Sequence, residues 1–293
     1  MTESPVSLRE GRPEDLDAIQ EFTTDTFAWG DYVPDQYLNW LTEPSGAVLV
    51  AADAGDRVLA MVHIEQLSPK EGWLSAARVR PDYQRQGLGS QLNQAGVDWL
   101  RSRGVLVVRL TTEENNLVAQ QQVEKLGYRQ VSRFALAERR FSQQGVESNG
   151  GRRLPGPERL DLAPAAETEP AYLVWSTGDL DRASHGLYAS KGWAFRRLAI
   201  ADLVSASRGR RFWASPAAWA IAEEEEEGLW VSVLLTTPDE ADRAVRSLVD
   251  LAEEKKVQWM GVMVPRVDWL ERALESQHLE INYPNIVWEK AIE

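Results

Sequence analysis

Gln84-Arg85-Gln86-Gly87-Leu88-Gly89-Ser90 sets two glycines, a cation and amide side chains in front of a helical pattern. That combination suits an anion. The first amides of a helix lack intrahelical partners and lie at the positive end of its dipole. Glycines let backbone approach phosphate oxygens closely and adopt the dihedrals that such a loop needs. Arg78, Arg80 and Arg85 against Asp82 make the stretch locally positive within a chain of net charge −13. Two rival phosphate loops are disfavoured: no Lys-Ser or Lys-Thr follows, as in a nucleoside-triphosphate loop, and no βαβ unit precedes, as in a dinucleotide fold.

The elements around this turn follow from apolar periodicity. Val6–Arg9 alternates as a short strand, and Leu16, Ile19 and Phe22 share a helical face. An aromatic segment from Phe27 to Leu41 follows, broken by Gly30 and Pro34 and helical in its second half. Ala47–Ala52, Arg57–Gln66 and Trp73–Val79 read as an antiparallel meander with short turns. Past the glycines, Leu88, Leu92, Ala95 and Trp99 predict the buried stripe of a helix that ends at Gly104. A strand, Val105–Leu110, then leads to a helix capped by Asn115 or Asn116 with Ala119, Val123 and Leu126 inward. Gly127 ends that helix before a strand from Tyr128, completing β-α-β-β-β-α-β-α-β by about residue 140.

Length and composition bound the rest. A chain of 293 residues exceeds the usual size of one core, so two domains are expected. Glycines and prolines crowd 142–170 as in a linker, which gives domains at 1–141 and 171–293. Beyond it, Leu229–Leu235, a helix opened by Thr237-Pro238-Asp239-Glu240, Val257–Val264, Asp268–Gln277 and Ile281–Glu289 repeat β-α-β-α-β. Trp213, Trp219 and Trp230 are assigned to that domain's core, and the run Glu223–Glu227 to a solvated turn. The negative charge argues against a nucleic-acid partner, and no window has the length of apolar residues that a membrane span needs. Met1-Thr2-Glu3-Ser4-Pro5 lacks the features of a secretion signal and the chain has no cysteine, so a cytoplasmic location is expected. Three scattered histidines suggest no metal site.

At Val79-Arg80-Pro81 and the glycine turn the chain resembles the GNAT N-acetyltransferase superfamily, whose signature is Gln/Arg-x-x-Gly-x-Gly/Ala after a strand. The resemblance covers roughly Val6 to Arg140. It extends to Asn116, Ala119 and Lys125-Leu126-Gly127-Tyr128, which are similar to the family's Asn-x-x-Ala and Lys-Leu-Gly-Phe. It implies an α/β (α+β) chain: a GNAT acyl-CoA N-acyltransferase fold with a mixed central sheet, then a degenerate GNAT-like domain whose acidic Thr236–Glu240 turn would repel pyrophosphate. It implies acetyl-CoA as cosubstrate, with Val79 at the pantetheine arm, Gln84, Arg85, Gln86, Gly87, Leu88, Gly89 and Ser90 around the pyrophosphate, and Asn116 beside the pantetheine. The implied reaction is direct acetyl transfer to the primary amine of a small molecule, an amino acid being one acceptor class. A protein N-acetyltransferase and a non-catalytic acyl-CoA sensor are the alternatives.

One position departs from the family's pattern. Val123 stands where many members carry the tyrosine that protonates the leaving thiolate, which leaves Tyr83 as candidate donor while Tyr128 reads as core. Glu71, with Glu65 second, is the candidate base acting through a water, and His63 reads as a hydrogen-bonded strand residue. Gly30–Pro34 with Tyr37, Trp40 and Leu41 is similar to the histidine N-acetyltransferase-like branch. That similarity implies Trp29, Asp31, Tyr32 and Tyr37 around the acceptor, Asp31 pairing with its cation.

Overall fold

The computed structural model describes residues 6–24, 26, 30–141 and 159–292. In chain order its first elements are β1 (Ser7–Glu10), α1 (Leu16–Thr23), α2 (Val33–Trp40), β2 (Gly46–Ala52), β3 (Val58–Ser68), β4 (Glu71–Val79), α3 (Leu88–Ser102), β5 (Val107–Glu113), α4 (Leu117–Lys125) and β6 (Arg129–Arg140). There follow β7 (Asp161–Leu162), α5 (Thr168–Thr177), α6 (Asp179–Ser184), β8 (Leu187–Lys191), β9 (Ala194–Arg197), α7 (Ile200–Arg208), β10 (Phe212–Ser215) and β11 (Ala218–Glu225). The last are β12 (Gly228–Leu235), α8 (Ala241–Lys255), β13 (Trp259–Pro265), α9 (Asp268–Ser276) and β14 (Glu280–Ala291).

Two compact units result. The first holds the chain up to Thr111, Val118–Arg129 and the residues from Trp288 onward; the second holds Thr112–Leu117 and Gln130–Val287. The units therefore do not follow a single cut near residue 141. Strands β1, β2, β3, β4 and β5 lie side by side in the first unit, and the end of β14 pairs next to β5, where Ile292 donates its amide to Leu106 at 2.8 Å. In the second unit the order runs β6, β13, β12, β11, β10, β7, with β6 antiparallel to β13. The second unit thus takes β6 from Gln130 onward, and the first takes the end of β14 from Trp288.

In the first unit, period-two alternation sends Val48 and Val50 toward α1 and α2, a bulge at Leu59 lets Val58 and Met61 join them, and Ile19, Val33, Tyr37 and Trp40 complete a buried cluster. On the opposite face α3 lies on the sheet, its Gly96 placed so that a Cβ would come 2.8 Å from Leu74. Here the expected stripe is displaced. Leu88, Leu92, Gly96, Val97 and Leu100 are buried, whereas Ala95 and Trp99 are only partly so, and Arg103 stacks over Trp99. The glycine that admits the sheet is a residue no hydrophobic pattern would count.

The second unit's β12-α8-β13-α9-β14 passage agrees with the sequence, with boundaries moved by one to four residues. Its earlier half has more structure than the sequence suggests. The linker expected over 142–170 ends sooner, because β7 and α5 lie inside it and Pro170 sits in the first turn of α5, where its missing N–H costs nothing. Trp213 and Trp219 pack partly buried on the core and donate to Ala222 O and the Glu167 carboxylate. Glu223–Glu227 forms the exposed end of the β11–β12 hairpin, partly exposed at Glu223. Among the described residues, no helix is long and apolar enough to cross a membrane.

Candidate active site

Strand β4 pairs in parallel with β5 only from Glu71–Val107 to Trp73–Arg109. Beyond that pair β4 runs on to Val79 and β5 to Glu113 without a shared register. On its other side β4 carries a bulge: Met61 faces Arg78 and His63 faces Ser75, so Ala76 and Ala77 stand opposite the one residue Val62. Ala76 holds φ +52, a backbone state that costs an alanine about 1–2 kcal/mol. Bulges of this kind re-aim backbone groups and gather next to functional sites. The result is a strand end, Leu74 to Val79, that has no register with β5.

The turn after Val79 is built for an anion. Pro81–Tyr83 makes one 3-10 turn, Gln84 is extended, and Arg85 and Gly87 take φ +61 and +86. Gly87 is the N-cap of α3 and provides no side-chain cap, so the first amides of α3 keep no partner from that residue. Gln84 donates to Val79 O and Gln86 to Asp82 O, clipping the loop to itself, while Gln84 to Gly87 remain exposed. Leu88 is buried beneath them, and Gly89 and Ser90 are half-buried. A Cβ on Gly89 would stand 3.0 Å from Gln122 Nε2, so a larger residue would crowd α4. The turn therefore presents the start of α3 through backbone shape rather than through a capping side chain.

Charge contributes less than the sequence implied. Arg78 makes a two-pronged pair with Asp31, at 2.6 and 3.1 Å, and Arg80 bonds Glu21 at 2.9 Å. Arg85 is exposed and makes no ion pair among the described residues. It is the one arginine of the three left facing solvent for an anion.

Several assignments change. Glu71 opens β4, eight residues before Val79, or about 26 Å at strand rise. Its carboxylate accepts from Arg109 at 2.6 Å and from Ser68 at 2.9 Å. Arg109 is 1% exposed and also bonds Glu289, which in turn accepts from Arg129. Glu71 is part of a buried ionic clamp at the closed end of β4 and β5, and not a base at the open end. Asp31 is equally committed: burial raises its pKa, but the Arg78 bonds and charge outweigh that and hold it below the usual range. It has no free face for a substrate cation. Tyr37 is fully buried, its hydroxyl bonded to Arg12 O and Asp15 and its pKa raised by that burial, so it lines no pocket. Tyr32 is 40% exposed and meets Trp40 edge-on at 6.1 Å, which leaves it available to a ligand. Trp29 lies outside the described residues.

Val123 is buried. Its carbonyl receives the Tyr128 amide, and the Tyr128 hydroxyl is tied to Asn93 with its pKa pushed up to about 12 by burial. Tyr128 is a core residue, and Tyr83 is half-exposed in the turn. Asn116 is exposed in the turn before α4, its amide bonded to Glu113 O.

One cluster escaped the sequence reading. His63 Nδ1 lies 3.0 Å from Ser75 Oγ and its Nε2 3.3 Å from Glu43 Oε2, while Trp40 stacks on the ring at 4.4 Å. One polar side-chain atom each of Glu43, His63 and Glu65 lie within 4.8 Å of one another. The histidines are scattered in sequence, but β3 itself and the turn after α2 set carboxylates about one of them, and the β3–β4 register adds Ser75.

An unladdered β4 end above a glycine turn that opens a helix is the frame of this site. Residues 16–128 match the acetyltransferase (GNAT) family, and the chain carries a domain of that family. A 92-residue segment is 34% identical to a mycothiol acetyltransferase of Rhodococcus jostii and a segment of that length is 35% identical to one of Pseudarthrobacter chlorophenolicus. These matches take in 29% of this chain and 30% and 28% of the relatives, so under a third of either relative is spanned. The fold is shared more widely. A GCN5-related N-acetyltransferase from Sphaerobacter thermophilus superposes with a TM-score of 0.65 over 98% of this chain and 95% of its own, at 13% identity.

Proposed function

We propose that the first unit transfers an acetyl group from acetyl-CoA to the primary amine of a small molecule, by direct attack within a ternary complex. The observation that carries this reading is the left-handed Arg85–Gly87 turn capping α3 directly beyond the unladdered end of β4. Amides from Gln84 to Ser90, with Arg85, would hold the pyrophosphate, and the Val79 backbone the pantetheine. Acetyl-CoA supplies the thioester. A β4 amide beyond the last β5 pair, beside the thioester carbonyl, would stabilise the negative charge that develops as the amine attacks. Tyr32 is the exposed aromatic available to the acceptor. The names of the relatives support a small-molecule acceptor.

The leaving group needs little help. A thiol of pKa about 8.5 departs as thiolate near neutral pH, so a buried valine at position 123 is compatible with turnover. That same valine favours the second reading, a cofactor-binding module without catalysis. Incubating the full chain with acetyl-CoA and a panel of amines while following free thiol separates the two. Acetyl transfer to at least one amine is the expected result; tight CoA binding with no turnover on any amine would overturn it. We further infer one cofactor per chain, because Asp239 and Glu240 stand at the start of α8 where a pyrophosphate would have to lie. Calorimetric stoichiometry checks that number.

A further inference from the structure

We propose that Ser75, His63 and Glu43 form the proton relay that deprotonates the acceptor ammonium, a role that rests on the acetyl-transfer reading above. The three groups come from different elements and meet by register. Opposite partners on β3 and β4 put His63 beside Ser75, one residue before the bulge at Ala76 and past the last β4–β5 pair. Glu43 reaches the far nitrogen from the turn after α2. It does so because Gly46 has no Cβ; one built there would stand 3.1 Å from Glu43 Oε2 and 2.9 Å from Ile64 O. Trp40 covers the ring face at 14° from parallel, so the imidazole has one orientation.

The hydrogen-bond pattern selects a direction for the proton. A neutral ring with its hydrogen on Nε2 donates to Glu43 and offers the Nδ1 lone pair to the Ser75 hydroxyl. His63 is 3% exposed, whereas Ser75 is half-buried, so on the Nδ1 side the hydroxyl is more open than the ring behind it. Ser75 Oγ takes a proton from the ammonium as its own proton passes to Nδ1. The freed amine lone pair forms the bond to the thioester carbonyl carbon, the C–S bond breaks, the sulfur leaves with its electron pair, and the second proton shed by the nitrogen is taken up by that thiolate or by solvent. The imidazolium so formed faces two carboxylates, Glu43 from the α2 turn and Glu65 from its own strand. Its proton returns to solvent or to the thiolate through Ser75. An alkylamine of pKa about 10.4 requires such a relay, and a nucleophile already neutral at pH 7 does not.

The test follows from that difference. Full-length protein is assayed with acetyl-CoA and two probes, the best alkylamine of the panel and hydroxylamine. His63→Gln and Ser75→Ala are expected to lower kcat/KM for the alkylamine by about 100-fold or more, and for hydroxylamine by less than about tenfold. Ser75→Thr, which keeps the hydroxyl, should restore most of the alkylamine rate. Glu43→Gln removes a charge that favours the imidazolium, so the acid limb of the kcat/KM profile should move to lower pH. Acetyl-CoA affinity of each variant, by calorimetry, should stay near wild type; if His63→Gln does not fold, Ser75→Ala carries the comparison. Equal losses with both probes, or no loss with the alkylamine, would overturn the relay. So would inactivation by a chelator, which would assign Glu43, His63 and Glu65 to a cation. A wild-type enzyme inert toward every nucleophile removes the acetyl-transfer reading itself, and the relay with it.

Discussion

Two parallel strand-helix-strand passages in this chain begin alike and end differently. β4 and β5 pair from Glu71 to Trp73 and then part; β12 and β13 pair from Gly228 to Val231 and then part as well. Past its last pair, the first passage continues into the exposed Gln84–Gly87 turn, with two residues in the left-handed region. The second buries Val233, Leu234 and Leu235, bonds Thr236 to Ala217 O, and starts α8 through Pro238, Asp239 and Glu240. Those carboxylates already sit at the positive end of the helix dipole. Diverging strands alone therefore make no ligand site; the few residues at the strand–helix junction decide whether the opening receives an anion or is filled by the protein itself.

The largest expected effect breaks the closed end of the first opening. Glu289→Ala leaves Arg109 buried against one carboxylate, and should cost about 3–5 kcal/mol in chemical denaturation. Next, Gly87→Val forces a β-branched residue into φ +86 and should weaken acetyl-CoA binding about 100-fold, or about 2.7 kcal/mol, by calorimetry. Survival of the affinity would remove the contrast between the two junctions. Smaller still, Asp239→Asn should cost about 0.3–1 kcal/mol through the α8 dipole while leaving acetyl-CoA stoichiometry and affinity unchanged. The smallest effect sharpens the comparison by sign. For Asp15 and Asp31 in the first unit, burial raises the pKa but the bonds to Arg9 and Arg78 outweigh it, so both are lowered. Their stabilisation is present above the unfolded value of about 3.9 and disappears as pH falls through the folded value. In the second unit burial raises Asp181 and Glu225. The cost of ionising these two is relieved as pH falls through their raised values. Hydrogen exchange followed on acidification should thus show the first unit loosening ahead of the second; the reverse order would contradict these assignments.

The glycine turn was legible because its signal is local: dihedral freedom, a helix start and a preceding strand lie within a dozen residues. Glu71, Asp31 and Tyr37 were misread for the opposite reason. Their partners Arg109, Arg78 and Arg12 lie 38, 47 and 25 residues away, and residue type alone does not reveal a carboxylate already bonded to a buried arginine. The bulge at Ala76-Ala77 has no glycine to announce it, and the His63 cluster exists only once β3 and β4 are in register. In the second unit, the β8–β9 hairpin, α7, β10 and β11 are short and rich in alanine and serine, so they gave no periodic pattern to set against the clear stripe of α8.

The placement of the last strand has a consequence in time. Arg109 and Glu289 are 180 residues apart, yet they share a buried bond beside β5. At roughly 5–20 residues per second of synthesis, the β5 edge waits on the order of ten to forty seconds for its neighbour. Throughout that interval the nascent chain carries an unpaired strand edge, the feature that invites pairing with other chains. The first unit to be made is the last whose sheet can close, and the clamp at the floor of its site forms only once Glu289 has been added.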